Sequence, residues 1–402
     1  MKILWVKTDF LHPTNRGGQI RTLETIKRLH LRHEVHYIAF EDPLSSEGPQ
    51  RAPEYCSRFF SVPHEVPEKT FTSPSFVGQL IAGLLSPLPV AVIRWRSQAM
   101  RHEIERIQAE FQYDAMVCDF LFPAPNIPNL TRAILFQHNV EAQIWRRHAD
   151  HAGNFVKKAY FQLQAARMEA YERQVCRKVR RVIAVSKGDA DLMERLYGIK
   201  GVASVDTGVD TGFFHPPSRP PAEAEAKADL VFIGSMDWMP NIEGMQWFVR
   251  DILPIIHASR PETTVAIVGR KPAPEILALA GDKIHVTGTV PDVRPWLWGG
   301  KLSIVPLRIG GGTRLKIYES MAAGVTVVST TVGAEGLEIH DGGNIALADT
   351  AADFARRCLD LLDSPGSRRS MSEAASRIVA GKYSWDSVTA QIERLLLADP
   401  SS

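Results

Sequence analysis

The sequence has little cysteine, little net charge and no long uninterrupted apolar run, and each shortage removes a class of protein. Its four cysteines, Cys56, Cys118, Cys176 and Cys358, lie far apart with no C-x-x-C pair. They read as buried thiols of a reducing compartment, which excludes a disulfide framework and a zinc site. The 47 Lys and Arg against 45 Asp and Glu leave a formal net charge of +2, too balanced for a dedicated nucleic-acid binder. The opening residues MKILWV are strand-like, with no basic leader or cleavage site, so a cytoplasmic protein is expected. Residues 76–93 form a stretch of eighteen residues without a charge. Pro87 and Pro89 break its last third, which argues against a spanning helix. Arg94, Arg96 and Arg101 follow, alternating with Trp95 and Met100. Region 76–107 therefore reads either as a solvated basic face or as a peripheral contact with the inner face of a membrane.

What is present is an alternation of short apolar runs with helical patterns over 402 residues. Residues 2–6, 34–40, 114–118, 133–137 and 181–185 read as strands, and 18–31 and 154–178 as helices. A proline-rich segment, HPPSRPPAEAEAKA at 215–228, cannot pack and reads as a linker. The alternation then restarts, with strands at 229–234, 264–268, 283–287, 302–306 and 325–329 and helices at 241–257, 313–323 and 351–362. The pattern predicts an α/β protein of two doubly wound, Rossmann-like parallel-sheet domains facing a central cleft. Residues 1–206 would form the first domain, 207–228 the hinge and linker, and 229–382 the second. The helix of 383–402 would pack back on the first. Ligands of such sheets sit at the carboxyl ends of the strands.

The segment richest in chemistry is PLRIGGGTRLKIYESMAAGVTVVSTTVGAEG, 306–336. An apolar strand feeds Gly310, Gly311 and Gly312, which allow close backbone approach, and a helix opens at Thr313 as N-cap. Free amides in the first turn make an anion site. Arg314 and Lys316 stand in that turn although cations there oppose the helix dipole. A bound diphosphate is the simplest compensation. Glu319 lies three residues past Lys316, where a carboxylate can accept two hydrogen bonds from a cis-diol such as a ribose or form a solvated i, i+3 pair with Lys316.

Further blocks stand in a telling order: Gly17-Gly18 after the first strand, His138 in FQHNVEAQIWRR, VIAVSKGD, TGVDTGFFHP, FIGSMDWMPN, IVGRKP, VTGTVPDVRPWL, the glycine block through Glu319, and YSW at 383–385. In that order the sequence resembles the group 1 (family 4) retaining glycosyltransferases with the GT-B fold, over nearly the whole chain. The resemblance implies that Gly17 and Gly18 form a tight loop beneath the donor phosphate, with Arg21 opening the next helix on that side. It implies that His138 contacts the transferred sugar and that Ser235 and Met236 present amides to the diphosphate. Arg270, Gly288 and Val290 would bracket the base, and Glu319 would hold the ribose. Arg314 and Lys316 would neutralise the leaving diphosphate.

One departure stands out. The family pairs two glutamates with seven residues between them; Glu319 matches the second, but Gly311 occupies the first position. The resemblance implies a variant site, with the contact to the sugar left to the Gly310–Thr313 backbone. The expected activity is retaining, metal-independent transfer of a hexose from a UDP- or GDP-linked sugar to a glycan, lipid-linked or small-molecule hydroxyl acceptor, in cell-surface polysaccharide or glycoconjugate synthesis. No resident cofactor is expected, nor a metal: His30, His33, His36, His148 and His151 lack a recognisable ligand spacing. The competing readings are a catalytically silent nucleotide-sugar-binding subunit, motivated by Gly311, and a same-fold sugar-nucleotide 2-epimerase.

Overall fold

A computed structural model describes residues 1–14, 17–43, 45–64, 86–150, 154–216, 227–309 and 315–398. The chain divides into two compact units, 1–206 with 388–402, and 207–387. Each is built on an all-parallel sheet, and each sheet is explained by runs of Val, Ile, Leu and Phe that are buried on both faces.

In the first unit the strands are β1 (Lys2–Val6), β2 (Glu34–Phe40), β3 (Arg58–Val62), β4 (Ala115–Asp119), β5 (Ala133–Phe136), β6 (Arg181–Ala184) and β7 (Ala203–Ser204). Their order is β3-β2-β1-β4-β5-β6-β7. After β1 the chain winds to one side through β2 and β3, then returns to lay β4 on the other flank of β1. The crevice at the carboxyl ends of β1 and β4 is thus a topological switch point, where such sheets bind ligands. Helix α1 (Gly17–His30) crosses from β1 to β2. Helices α2 (Gln98–Glu110), α3 (Glu141–Asp150), α4 (Phe155–Lys178) and α5 (Lys187–Tyr197) cover the remaining strands.

The second unit repeats the plan with β8 (Ala228–Ile233), β9 (Val265–Val268), β10 (Ile284–Gly288), β11 (Gly300–Val305), β12 (Thr326–Ser329) and β13 (Ala346–Leu347). The order β10-β9-β8-β11-β12-β13 puts its switch point between β8 and β11. Helix α6 (Met239–Trp247) follows β8, and α7 (Leu315–Ala322) follows β11. The stretch expected as one helix at 241–257 is interrupted by a π-helical turn at Phe248–Ile252 before a short helix at Leu253–Ser259. Pro254 has no N–H to continue the α ladder, which accounts for the break. Gly324 ends α7 in the left-handed conformation, φ +75°, which a residue with a Cβ resists.

The final helix, α8 (Trp385–Leu397), contributes to both units. Trp385 lies against Gly208 in the second, where an added Cβ would stand 2.5 Å from the indole. Farther along, Glu393 accepts from His33 Nε2 at 2.6 Å and Arg181 donates to Leu395 O at 2.6 Å in the first.

The described part of 76–107 turns its apolar residues inward: Met100 is buried and Trp95 packs against the core of the first unit. Residues 65–85 lie outside the described residues, as do linker residues 217–226. Among the described residues no helix is long and apolar enough to cross a membrane.

Close backbone approach at the second switch point depends on Gly269. A Cβ there would lie 1.7 Å from the Gly234 carbonyl oxygen, so the β8 end must move to admit it. Gly269→Ala is expected to destabilise the protein by about 1–3 kcal/mol, the range for overpacking, in urea unfolding. An unchanged midpoint would show that β8 and β9 separate freely at this end.

Candidate functional site

Both switch points carry charge where the strands end. In the first unit the charge is Asp119, the last residue of β4, which is completely buried. Its Oδ1 accepts from Lys7 Nζ and His138 Nε2, and its Oδ2 from Trp5 Nε1 and Thr22 Oγ1, all four at 2.7 Å. These donors come from β1, the residue after it, α1 and the loop after β5. Four donors fill the four sites of an ionised carboxylate. Burial alone pushes this carboxyl up, and the charges of Lys7 and His138 with their hydrogen bonds more than reverse it, leaving it well below the ordinary carboxylate range.

That ionised acceptor determines the tautomer of His138, and burial its charge. Burial lowers the imidazole to about 4, even with Asp119 pulling it up, so the ring is neutral near pH 7. With the carboxylate able only to accept, Nε2 carries the hydrogen and Nδ1 is left as an acceptor. Nδ1 faces the start of α1, 3.7 Å from where a Cβ on Gly18 would stand. The fold therefore brings His138 together with Gly18.

The loop bearing His138 is held from behind by Glu172 of α4. Gln137 Nε2 donates to Glu172 at 2.7 Å, and the backbone amides of Glu141 and Ala142 donate to it at 3.2 and 3.1 Å. This carboxylate caps the opening turn of α3 from another helix. Glu141 is itself buried, and desolvation with the nearby Glu172 charge raises it to about 7.

Arg21 stands near the start of α1, with its side chain turned inward. It is buried, donates to the carbonyls of Gln137 and Val205, and lies 4.4 Å over the Phe136 ring. It staples the carboxyl edge from within and does not face a phosphate, because its guanidinium is held by interior carbonyls.

In the second unit Lys316, on the first turn of α7, donates to Asn241 Oδ1 of α6 at 2.7 Å and sits 4.5 Å over the Phe232 ring of β8. Asn241 Nδ2 donates in turn to Ser235 O at 2.8 Å. Gly234 makes room for the group: a Cβ there would lie 2.9 Å from Lys316 Nζ and 2.7 Å from Asn241 Nδ2. Arg270 Nε donates to Ser235 Oγ at 3.0 Å, and Ser235 Oγ donates to Asp237. Ser235, Arg270, Asn241 and Lys316 thus form one connected group at the switch point.

Met236 does not present its amide as expected. The amide donates to Arg270 O at 2.9 Å and the side chain is fully buried, so Met236 shapes the loop from inside. Gly288, at φ +70°, ends β10 and Val290 follows it on the neighbouring edge, with the Gly288 carbonyl accepting from Gly269 N. Glu319 is half-buried one turn after Lys316. Desolvation raises its carboxyl to about 7, against the pull of Lys316, and it accepts no hydrogen bond from the described residues. Gly310, Gly311, Gly312, Thr313 and Arg314 lie outside the described residues.

Sequence reasoning passed over Lys7, Asp119, Thr22 and Asn241. The signal for the first two was present: a charged residue closing a wholly apolar strand, as in KILWVK and AMVCD, sits where the sheet's interior meets its edge. The histidines at 30, 33 and 36 diverge, His33 bonding Glu393 and His36 bonding Tyr113 and Glu34.

Two parallel-sheet units of this topology define the GT-B fold class. Residues 15–213 match the model of Glycosyltransferase Family 4, and residues 227–364 that of Glycosyl transferases group 1. The chain is a glycosyltransferase of the GT-B type, built from these two domains. It is 20% identical over 374 residues to an uncharacterized 44.6 kDa protein in the cps region of Klebsiella pneumoniae, covering 89% of this chain and 90% of that one. It is 25% identical over 232 residues to the lipopolysaccharide core biosynthesis mannosyltransferase LpcC of Rhizobium leguminosarum bv. viciae, covering 54% of this chain and 64% of that protein. In structure it is similar to HepE of Anabaena in complex with UDP and glucose, at TM-score 0.63 and 12% identity, covering 99% of this chain and 100% of that one.

Removing the Asp119 charge strands the Lys7 ammonium in the interior. Asp119→Asn should destabilise the protein by about 3–5 kcal/mol, the range for breaking one side of a buried pair, in denaturant unfolding. The wild type should also lose stability as pH falls from 6.5 towards about 4, since His138 binds its proton more weakly when folded than unfolded. A loss below about 1 kcal/mol for Asp119→Asn would mean that Lys7 finds water.

Proposed function

We propose that this glycosyltransferase moves a hexose from a nucleoside-diphosphate sugar, UDP- or GDP-linked, to a hydroxyl acceptor with retention of anomeric configuration. The acceptor is a glycan, a lipid-linked saccharide or a small molecule, and the setting is cell-surface polysaccharide or glycoconjugate synthesis. The reading requires no metal. The mannosyltransferase relative and the UDP-bound neighbour support the donor class. The observation that carries it is the Lys316 ammonium, lodged among β8, α6 and the start of α7, with the carboxylate of Glu319, which accepts no hydrogen bond from the described residues, one turn on.

In this reading the diphosphate lies against the amides of Gly310, Gly311, Gly312 and Thr313 and the Ser235 loop. Lys316 and Arg314 neutralise the charge that grows on it as the sugar leaves, a preorganised electrostatic role. Glu319 accepts from the two ribose hydroxyls, and Arg270 with Gly288 and Val290 borders the base. His138 accepts a hydroxyl of the transferred sugar through Nδ1, with Gly17 and Gly18 allowing close approach. The departing phosphate takes the acceptor's proton on the face it leaves. Peripheral membrane contact through 76–107 belongs to the same proposal and rests on the exposed Arg96, Arg101 being paired with Glu105.

Lys316→Ala should weaken binding of the free nucleoside diphosphate by about 1.5–3 kcal/mol, the scale of hydrogen bonds to charged groups, in titration calorimetry. Unchanged affinity would remove Lys316 from the phosphate site. His138→Ala should leave that affinity intact while turnover drops by roughly 10²-fold, as for a contact strongest in the transition state. Equal losses in both would put His138 in the nucleotide pocket. Tight nucleotide-sugar binding with no turnover in the wild type would favour the silent-subunit reading.

Glu319 gives a pH signature. Both oxygens are full acceptors for the two ribose hydroxyls only when the carboxyl is ionised, and those bonds are then charge-assisted, so ligand binding favours the charged form. Affinity should rise as pH goes from 6 to 8 and plateau above its value of about 7. Glu319→Gln should remove this part of the pH dependence in calorimetry. Parallel profiles for the two proteins would exclude the ribose assignment.

A further inference from the structure

Phe120 follows Asp119 at the carboxyl end of β4 and has φ +75°. A bulky L-residue is strained in the left-handed region, where glycine or asparagine would be easy. The backbone is nevertheless pinned there: Phe120 N donates to Phe136 O at 2.8 Å, and Phe120 O accepts from Cys118 Sγ at 3.2 Å. The turn carries Leu121 into the core, and glycine would serve that turn with less strain. The side chain must therefore supply something in return.

It does not supply core packing. Phe122 packs against the buried cluster of the first unit, whereas Phe120 does not join that cluster and remains half-buried at the sheet edge. Its ring centroid is 4.9 Å from Phe122 and 5.3 Å from His138. An aromatic ring is thus held at the switch point beside an imidazole whose Nδ1 is an acceptor. A half-buried ring at this edge, next to the imidazole that takes a hydroxyl of the transferred sugar in the proposed reaction, fits a second pyranose, which has an apolar C–H face to stack and hydroxyls around its rim to present. An acyl chain would need a longer apolar groove and no acceptor.

We infer that Phe120 forms the floor of an acceptor subsite, stacking on the C–H face of a sugar ring whose hydroxyl is presented beside His138. The inference rests on the proposed transfer reaction and narrows its acceptor to a saccharide. Asp119 serves the subsite twice, as the neighbour of Phe120 in sequence and as the residue that orients His138.

The test is saturation-transfer NMR of the full-length protein, without nucleotide, against a panel of methyl α- and β-hexopyranosides, with hexanol as an apolar control. The expected result is transfer to the C–H protons of one ring face of at least one glycoside. Phe120→Gly should abolish it or weaken binding by roughly tenfold, and Phe120→Tyr should restore it. Because Phe120→Gly relieves the strained φ, its melting temperature should hold or rise. A purely structural phenylalanine would instead lower it. Transfer to no glycoside, equal transfer to hexanol, or full transfer in Phe120→Gly overturns the inference. Phe120→Leu, which keeps bulk without a π face, should bind as poorly as Phe120→Gly, and binding at the wild-type level would overturn it even if the glycine variant failed to fold. Nucleoside-diphosphate affinity, measured separately, reports on the donor reading and should not change in any of these variants.

Discussion

Four hydrogen bonds to one buried carboxylate organise the carboxyl edge of the first unit. Asp119 joins β1 through Trp5, the residue after β1 through Lys7, helix α1 through Thr22 and the loop after β5 through His138. A buried charge is tolerable only when its partners are all in place. The same requirement that makes this cluster hazardous to disturb gives it one geometry. The tautomer of His138 and the side on which its acceptor nitrogen lies follow from that carboxylate being ionised and full, while burial, against the pull of Asp119, keeps the ring neutral.

The second unit solves the same topological problem with an ammonium. Its switch point is occupied by Lys316, seated by Asn241 and the Phe232 ring, with Gly234 leaving the space. Here the charge is only partly enclosed, so it remains accessible to an anion. The contrast is functional as well as structural: the saturated carboxylate of the first unit positions its neighbours, while the exposed end of the second keeps capacity for a ligand. Glu319 belongs to the second kind, since burial raises it and no hydrogen bond from the described residues quenches it.

The strands were legible wherever they were fully buried, because a parallel sheet covered on both faces leaves unbroken apolar runs. β1 and β2 fall where those runs predict, at Lys2–Val6 and Glu34–Phe40. β3 was not legible, since Arg58 and Ser61 interrupt an edge strand whose outer residues face solvent. Two-residue strands such as β7 and β13 carry too little pattern to be seen. Helix α1 and the helix at 351–363 follow their periodicity closely, whereas the proline at 254 broke a helix that periodicity alone would have drawn as continuous.

The order of motifs along the chain determined the fold class, the division near residue 206 and the candidate group at Ser235, Arg270, Lys316 and Glu319, because glycine turns and apolar runs are local signals. Which polar groups face a ligand and which are consumed inside could not be local. Arg21 and Met236 stood in the right motifs, yet interior carbonyls claim the guanidinium of one and the amide of the other. Lys7 and Asp119 are 112 residues apart in the sequence, and only the pairing of β1 with β4 makes them a couple. Hydrogen bonding is short-ranged and directional, so the tertiary structure alone decides which donors and acceptors are already satisfied and which remain for chemistry.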